Sequence, residues 1–266
     1  MPDIRPHSTI ERIERIRLRN VHLDRLSLPE AVRVLHDRAT AGAGGIVLTP
    51  NVAIAREFDR ADYRWLSGHV VMWLLDGVPL RWIARAQGDG HLDRVAGSDL
   101  LRAVVREGWT DVAVCVLGAG ASRTVALSAR EKAGSVRVVG GDLPQVDRVD
   151  AALIATASVL LPASPAVVFV GLGFPKQEEL AVGLLAERPD LVFVGSGASA
   201  EMLNGEHRRS PDWMQQAGLE WLWRLGHEPR RLARRYLAEG VPWLVAALVG
   251  AAVHRMRGRG DDDVAR

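Results

Sequence analysis

The feature that most constrains the fold is a unit of apolar run, glycine turn and helix that recurs along the chain. Each apolar run carries no charge and is therefore typical of a strand that is buried on both faces. Three runs lead directly into glycine turns: Val112–Leu117 into Gly118-Ala119-Gly120, Ala166–Val170 into Gly171-Leu172-Gly173, and Leu191–Val194 into Gly195-Ser196-Gly197. This alternation predicts an α/β fold with a Rossmann-like, doubly wound, mainly parallel sheet.

Other segments fit the same alternation. Ser27 is predicted to cap a helix with Pro29 in its first turn, and Ser98 is predicted to cap a later one. Residues up to about Arg19 are predicted to form a short strand or an ordered arm. The remaining predicted elements are strands at Gly44–Leu48, Val70–Leu75 and Val136–Val139, and helices from Asn51 to about Leu66, from Pro79 to Gly108 with a break at Gln87–Gly90, and at Val146–Val159.

The composition changes after about Gly205, where strand patterns stop. Three helices are predicted beyond it, each beginning near a proline: Pro211–Leu225, Pro229–Glu239 and Pro242–Arg255. We therefore expect an α/β domain over residues 1–208 and a C-terminal helical appendage over residues 209–266.

One predicted strand ends in a carboxylate, Asp76, which is followed by Gly77. Ligands of open α/β sheets bind beyond the carboxyl ends of the strands, so Asp76 is a candidate site residue. The alternative is an ordinary Asp-Gly turn in which the carboxylate bonds to nearby backbone.

The glycine turns are candidate phosphate sites, because glycine lets backbone N–H groups approach an anion at a helix N-terminus. None of them completes the dinucleotide fingerprint G-x-G-x-x-G, since Arg123 and Lys176 stand where the last glycine belongs. Tight turns without a ligand are the alternative. The candidate binding glycines are Gly77, Gly171, Gly173, Gly195 and Gly197.

A few polar residues close to these turns have two interpretations each. Thr49 and Asn51 follow a predicted strand and either line the site or cap the next helix. Arg94 either binds a ligand or forms a solvated pair with Asp93. Gln177, at a helix start, suits a sugar hydroxyl or a base, and its alternative is an exposed helix residue.

The appendage combines arginine with large apolar residues such as Trp221, Trp223 and Tyr236. Its clustered arginines are Arg224, Arg230, Arg231, Arg234 and Arg235. A basic amphipathic helix of this kind lies on an anionic bilayer or clamps phosphates. The alternative is a helix that packs on the sheet domain with its arginines in solvent.

Several other classes are disfavoured. The net charge is only +2, which argues against nucleic acid as a partner. The histidines lack ligand spacing, and we find no Asp-x-Asp motif of the kind that carries a metal-bound sugar nucleotide, so neither a metal nor a cofactor is expected. The single cysteine, Cys115, lies in an apolar run and fits a reducing compartment. No apolar signal segment is seen at the N-terminus, and the apolar run Val241–Val253 is expected to be too short to cross a bilayer.

Ordered blocks of the sequence resemble the WecG/TagA/CpsF glycosyltransferases, glycosyltransferase family 26. The similarity runs from about Ile46 to Tyr236. Its blocks are Thr49-Pro50-Asn51, Asp76-Gly77, Asp93 to Leu100, Gly171 to Glu178, Arg209 to Trp213, Gly218 to Leu225, Glu228 to Leu232, and Arg234 to Tyr236.

The resemblance implies an inverting, metal-independent hexosyltransferase. The implied donor is a nucleotide-diphosphate sugar, with uridine diphosphate favoured, and the implied acceptor is a glycan on polyprenyl diphosphate. Such enzymes act in teichoic acid and cell-surface polysaccharide synthesis, in the cytoplasm on the inner face of the membrane. The implied general base is Asp76, and the implied pocket residues are Thr49, Asn51, Arg94 and Gln177. Arginines of the appendage, among them Arg224, Arg231, Arg234 and Arg235, are implied to reach the diphosphate and an anionic membrane.

Two departures leave the donor open. Pro79 stands where the family usually has a second glycine, and Ala200-Glu201-Met202 replaces a usual Phe-Asp-Phe. The alternatives are a Rossmann-type nucleotide-dependent oxidoreductase, favoured only by the glycine turns, and a non-catalytic peripheral membrane scaffold. The transferred sugar, the acceptor glycan and self-association into a homo-oligomer are left undecided by the sequence.

Overall fold

The computed structural model describes residues 13–60, 63–130, 136–163, 165–205, 210–211, 213–214, 219–227 and 229–264, without the side chains of residues 129, 130, 224, 231, 235 and 257–264. The strands are β1 (Arg15–Leu18), β2 (Val21–Asp24), β3 (Gly45–Leu48), β4 (Val70–Trp73), β5 (Ala113–Gly118), β6 (Val138–Gly141), β7 (Ala166–Gly171) and β8 (Val192–Gly195). The helices of the α/β part are α1 (Leu28–Thr40), α2 (Val52–Asp59), α3 (Val78–Gln87), α4 (Gly97–Glu107), α5 (Ala121–Arg130), α6 (Ala151–Val159), α7 (Lys176–Glu187) and α8 (Ser199–Leu203), with a 3₁₀ turn at Arg64–His69. The appendage contains α9 (Glu220–His227), α10 (Pro229–Ala233), a π-helical turn (Arg234–Gly240) and α11 (Val241–Val264).

The described part of the chain forms a six-stranded parallel sheet in the order β4-β3-β8-β7-β5-β6. Its central strands β5, β7 and β8 are buried along nearly their whole length, because their residues are apolar on both faces. The predicted α/β, Rossmann-like, mainly parallel fold is confirmed.

Helices cover both faces of this sheet, and the sheet lies between two apolar clusters. One cluster contains Ile54 of α2, Leu80 of α3 and Leu180 of α7. The other contains Leu35 of α1 and Leu100 of α4 together with Ala200 of α8. The chain thus leaves β3 and β7 toward one face and leaves β8, which lies between them, toward the other. Such a change of side opens a crevice at the carboxyl ends of the strands, where ligands bind in sheets of this type.

The edge strand β4 is covered by an antiparallel hairpin of β1 and β2. The carboxylate of Asp24 is buried, lies 2.5 Å from Nε of Arg15, and accepts the backbone N–H of Trp73 at 2.9 Å. The hairpin therefore satisfies a backbone group that an exposed edge would leave open. The sequence predicted at most a single strand here, and β2 was missed.

The helix starts predicted from the sequence are only partly confirmed. The backbone N–H of Ser27 donates to the Glu30 carboxylate at 2.8 Å, as the predicted cap of α1 requires. The predicted cap at Ser98 is wrong, because α4 begins at Gly97 and its N-cap is Ala96. The helix predicted from Val146 begins only at Ala151, where the Asp150 side chain accepts the N–H of Leu153.

The appendage differs from its prediction at both ends. Of the helix expected over Pro211–Leu225, residues 213–214 and 220–225 are helical and Leu219 is not, while residues 212 and 215–218 lie outside the described residues. No break occurs at Pro242: the backbone stays helical from the π-helical turn Arg234–Gly240 through Val241 into α11, so the two helices predicted on either side of residues 240–241 form one continuous segment. The division at residue 208 stays a prediction.

Helix α11 packs along α3, with Ala247 and Ala251 buried in the core. The indole Nε1 of Trp243 donates to Asp59 of α2 at 2.8 Å and fixes the start of α11. By length and composition alone, the segment Tyr236–Met256 is long and apolar enough to cross a membrane, so the expectation that this run is too short is wrong. Of its most apolar stretch, 17% is buried.

Candidate active site

Asp76 lies at the sheet edge where the crevice opens. Its backbone N–H donates to the carbonyl of Pro50 at 2.9 Å, which joins the segment after β4 to the segment after β3. Its side chain is 31% exposed, so the carboxylate reaches solvent. Gly77 follows with φ = 120°, a conformation that favours glycine, and it begins α3 immediately after the carboxylate.

Arg94 is brought to Asp76 by a short extended segment. The backbone N–H of Val95 donates to the carbonyl of Leu75 at 2.8 Å, and Nη2 of Arg94 lies 3.7 Å from Oδ1 of Asp76. Asp93 pairs instead with His91 at 3.1 Å. The alternative of a solvated Asp93–Arg94 pair is therefore not what the structure shows.

Two further carboxylates hold the Arg94 guanidinium. Nη1 donates to Asp99 of α4 at 3.0 Å, and Nη2 donates to Glu220 of α9 at 3.0 Å. Arg94 thus connects the α/β part of the chain to the appendage. Glu220 was missed from the sequence, because 126 residues separate it from Arg94 and no local pattern signals their contact.

The residues Gly171, Gly173, Gly195 and Gly197, here named the glycine floor, lie at and just beyond the ends of β7 and β8. A Cβ atom on Gly171 would lie 2.6 Å from the carbonyl oxygen of Gly197, and one on Gly195 would lie 2.6 Å from Nε2 of Gln177. Both positions require glycine because neighbouring atoms leave no room for a side chain. The N-terminus of α4 also approaches this floor, since a Cβ on Gly97 would lie 3.0 Å from Cα of Ser196.

Gln177 is buried beneath the glycine floor, so its alternative as an exposed helix residue is wrong. Its Oε1 accepts the backbone N–H groups of Gly173 at 3.2 Å and Gly197 at 2.9 Å. Its Nε2 donates to Oε1 of Glu178 at 2.7 Å. One amide therefore holds the turns after β7 and β8 together.

Glu178 is a buried carboxyl that the sequence prediction did not single out beyond its motif. Burial raises its pKa to about 8, so the group is protonated at neutral pH, while the hydrogen bond from Gln177 acts in the opposite direction. Its Oε2 has no hydrogen-bond partner among the residues that the structure describes. A glutamate at a helix start is usually exposed, and only the tertiary packing of α7 under β8 reveals its burial.

Thr49 and Asn51 have different partners. The hydroxyl of Thr49 is buried and donates to the carbonyl of Gly195 at 3.3 Å, which ties the end of β3 to the glycine floor. Oδ1 of Asn51 accepts the N–H groups of Ala53 and Ile54 and caps α2. The capping alternative therefore describes Asn51 in this structure but not Thr49.

The arginines of the appendage are only partly described. The Arg234 side chain is 88% exposed and lies 3.3 Å from Glu239, which also contacts Arg56 of α2 at 2.6 Å. The side chains of Arg224, Arg231 and Arg235 lie outside the described residues.

The chemistry available in the crevice is that of a carboxylate beside a guanidinium, since the N–H groups of Gly173 and Gly197 already donate to Gln177. Among the described side chains, no group of three His, Cys, Asp or Glu could hold a metal ion. A cavity of about 210 Å³ lies between α3 and α11, lined by Arg19, Gln87 and His254 among others. It is at the far end of α3 from Asp76 and is separate from the crevice.

The comparison with known families agrees with this geometry. The family model described as the glycosyl transferase WecG/TagA/CpsF family matches residues 16–257, from β1 into α11. This stretch includes the edge carboxylate, Arg94, the glycine floor and most of the appendage. Family membership implies a glycosyltransferase of cell-surface polysaccharide synthesis, which uses a nucleotide-sugar donor and a glycan acceptor. The chain belongs to the glycosyl transferase WecG/TagA/CpsF family.

Proposed function

We propose that the protein transfers a sugar, with inversion and without a metal, from a nucleoside diphosphate sugar to a glycan carried on polyprenyl diphosphate. A uridine diphosphate sugar is the favoured donor. The observation that carries this proposal is the solvent-accessible Asp76 carboxylate at the crevice, 3.7 Å from a guanidinium. Family membership favours this transferase chemistry over the oxidoreductase alternative.

Asp76 serves as general base in this proposal. It accepts the proton of the acceptor hydroxyl while that oxygen forms a bond to the anomeric carbon of the donor sugar. The bond from this carbon to the diphosphate oxygen breaks, and the departing nucleoside diphosphate keeps the electron pair. Attack from the face opposite the leaving group inverts the anomeric configuration.

The negative charge of the departing diphosphate is met by Arg94. Fixed donors aimed at developing charge stabilise the transition state, since they need no reorganisation during the reaction. Gln177 supports this function indirectly, because it orients the Gly173 and Gly197 segments.

An exposed apolar stripe on the appendage supports a location on the membrane surface. It consists of residues at intervals of about one or two helical turns: Leu237, Val241, Val245, Val249 and Met256. The opposite face of α11 packs on α3, which favours a helix that lies on the bilayer over one that crosses it. The exposed Arg230 and Arg234 lie near the start of this stripe, where anionic headgroups suit them.

The substitution Asp76→Asn tests the base. Turnover should fall by about a hundredfold to ten-thousandfold, because the amide cannot accept the proton. Binding of uridine diphosphate by calorimetry and the melting temperature should change little. Asp93→Asn, which removes a nearby carboxylate that pairs with His91, is the matched control. A folded Asp76→Asn enzyme with wild-type turnover would exclude Asp76 as the base.

Flotation with anionic liposomes tests the membrane surface. The double substitution Val245→Glu and Val249→Glu should abolish flotation, since two charges would have to enter the bilayer interface. Val159→Glu makes a similar change at a side chain that is 85% exposed on α6 and should float as wild type. Unchanged flotation of the double variant would contradict the proposed role of the stripe.

A further inference from the structure

Arg94 is hydrogen-bonded by carboxylates from two parts of the molecule. Asp99, in the first turn of α4, accepts from Nη1, and Glu220, in the first turn of α9, accepts from Nη2, each at 3.0 Å. The side chains of Arg94 and Glu220 are 17% and 27% exposed, so this contact is largely shielded from solvent.

The two terminal nitrogens of Arg94 are the ones that a diphosphate would use. Guanidinium binds phosphate oxygens through two parallel N–H groups, and the most favourable such edge is formed by the two terminal nitrogens or by one of them with Nε. In this structure carboxylate oxygens take both terminal nitrogens. A carboxylate and a phosphate present similar pairs of anionic oxygens, so the bound carboxylates occupy an anion position.

The local charge balance also opposes a diphosphate in this arrangement. Asp76, Asp99 and Glu220 all lie within 3.7 Å of the one guanidinium. An incoming diphosphate would meet repulsion from these carboxylates unless one of them withdrew. Asp76 and Asp99 belong to the α/β part of the chain, whereas Glu220 belongs to a separate helical segment and is the one of the three whose departure leaves the crevice intact.

We propose that Glu220 occupies the place on Arg94 that the diphosphate of the donor takes, and that donor binding displaces Glu220. This inference rests on the proposed function, in which Arg94 binds the leaving diphosphate. Displacement releases α9 from the crevice, so that donor binding and the position of the appendage are coupled. The appendage then acts as a competitor for the donor site as well as a membrane contact.

The test is calorimetric binding of uridine diphosphate to the full-length chain at low salt. Glu220→Gln keeps the shape of the side chain and removes its charge, so the Kd should fall by roughly threefold, as expected for loss of a partly exposed ion pair. The gain should shrink at high salt, where the competing pair is screened. Glu107→Gln makes the same charge change at the exposed end of α4 and should bind as wild type.

Two further variants separate failure of this inference from failure of the proposed function. Arg94→Gln should weaken binding of uridine diphosphate; unchanged binding would remove Arg94 from the donor site and overturn both proposals. Weakened binding by Arg94→Gln together with unchanged or weaker binding by Glu220→Gln would overturn the displacement alone, because Glu220 would then be a support for Arg94. If Glu220→Gln melts abnormally, Glu220→Asp decides: it keeps the charge but shortens the reach, and its Kd should still fall below that of wild type.

Discussion

The glycine floor and the appendage reach the same crevice by opposite physical means. The floor is built from backbone atoms, with Gln177 and Glu178 buried beneath it and no room for a Cβ on Gly171 or Gly195. The appendage reaches the crevice through Glu220, a partly exposed carboxylate that lies far from Arg94 in the sequence. Burial fixes the floor, whereas the ion pair of the appendage is the contact that we propose the donor diphosphate displaces. The glycine floor thus supplies buried support, and the appendage supplies a charge that contacts Arg94.

The largest expected difference between the regions is the pH response of Glu178. Folding raises its pKa from 4.5 to about 8, so the folded state keeps a proton that the unfolded state has lost. Its contribution to stability is present below pH 4.5 and is lost as the pH rises to about 8. Over this range the free energy of unfolding falls as the pH rises, because unfolding releases a proton that the folded state still holds. Glu178→Gln should therefore gain stability over wild type as the pH rises, with the difference levelling above about pH 8.

Denaturant unfolding at several pH values measures this difference. The variant glutamine still accepts the Gln177 hydrogen bond, so the comparison isolates the proton. Glu107→Gln controls for net charge. A constant difference between wild type and Glu178→Gln across this pH range would mean that the carboxyl is not held neutral in the fold.

Alanine at a floor glycine should give the next largest effect. Gly195→Ala places a Cβ 2.6 Å from both Gln177 Nε2 and Glu178 Oε1, so both buried side chains would have to shift. We expect about 1–3 kcal/mol of destabilisation from this overpacking. Binding of uridine diphosphate should weaken as well, since the turn after β8 shifts. A stable variant with normal binding would show that the floor accommodates a Cβ at this position without loss.

The attachment of the appendage should be less costly to disturb. Trp243→Phe removes the 2.8 Å hydrogen bond to Asp59, whose carboxylate keeps its contacts with Arg19 and Asn20. About 1 kcal/mol should be lost, because no buried acceptor is left unsatisfied. Limited proteolysis should cut more readily between the two parts, while uridine diphosphate binding is retained. Proteolysis at the wild-type rate would argue against this bond as the attachment.

The smallest effect has the opposite sign. Gly226 lies in α9, where an added Cβ would meet no atom within 4 Å among those described. Gly226→Ala should stabilise the helix by up to about 1 kcal/mol through helix propensity. The same substitution is thus destabilising in the floor and stabilising in the appendage. A lower melting temperature for Gly226→Ala would remove this contrast.

The sequence predicted what depends on local pattern. Apolar runs that end in glycine turns predicted both the parallel sheet and the glycine floor. Strand burial and tight turns each depend on only a few neighbouring residues. Asp76 was chosen as a candidate in the same way, from its place at a strand end.

Tertiary contacts between distant segments were not predictable. Whether Gln177 faces solvent or supports two turns depends on how α7 packs under β8, and its own neighbours carry no signal of this. The Glu220–Arg94 contact joins segments 126 residues apart. β2 was missed because each strand of the hairpin has only four residues, which is too short for the alternating pattern to be distinctive.

The position of α3 has a mechanical consequence. This helix starts beside the proposed catalytic carboxylate and packs along α11. In the proposed arrangement, with the stripe of α11 among headgroups, α3 lies parallel to the bilayer at one interhelical distance above α11, about 8–10 Å. The thickness of these two helices would then set the height of Asp76, and the lipid carrier would have to hold the acceptor hydroxyl at that height for the proton to be removed.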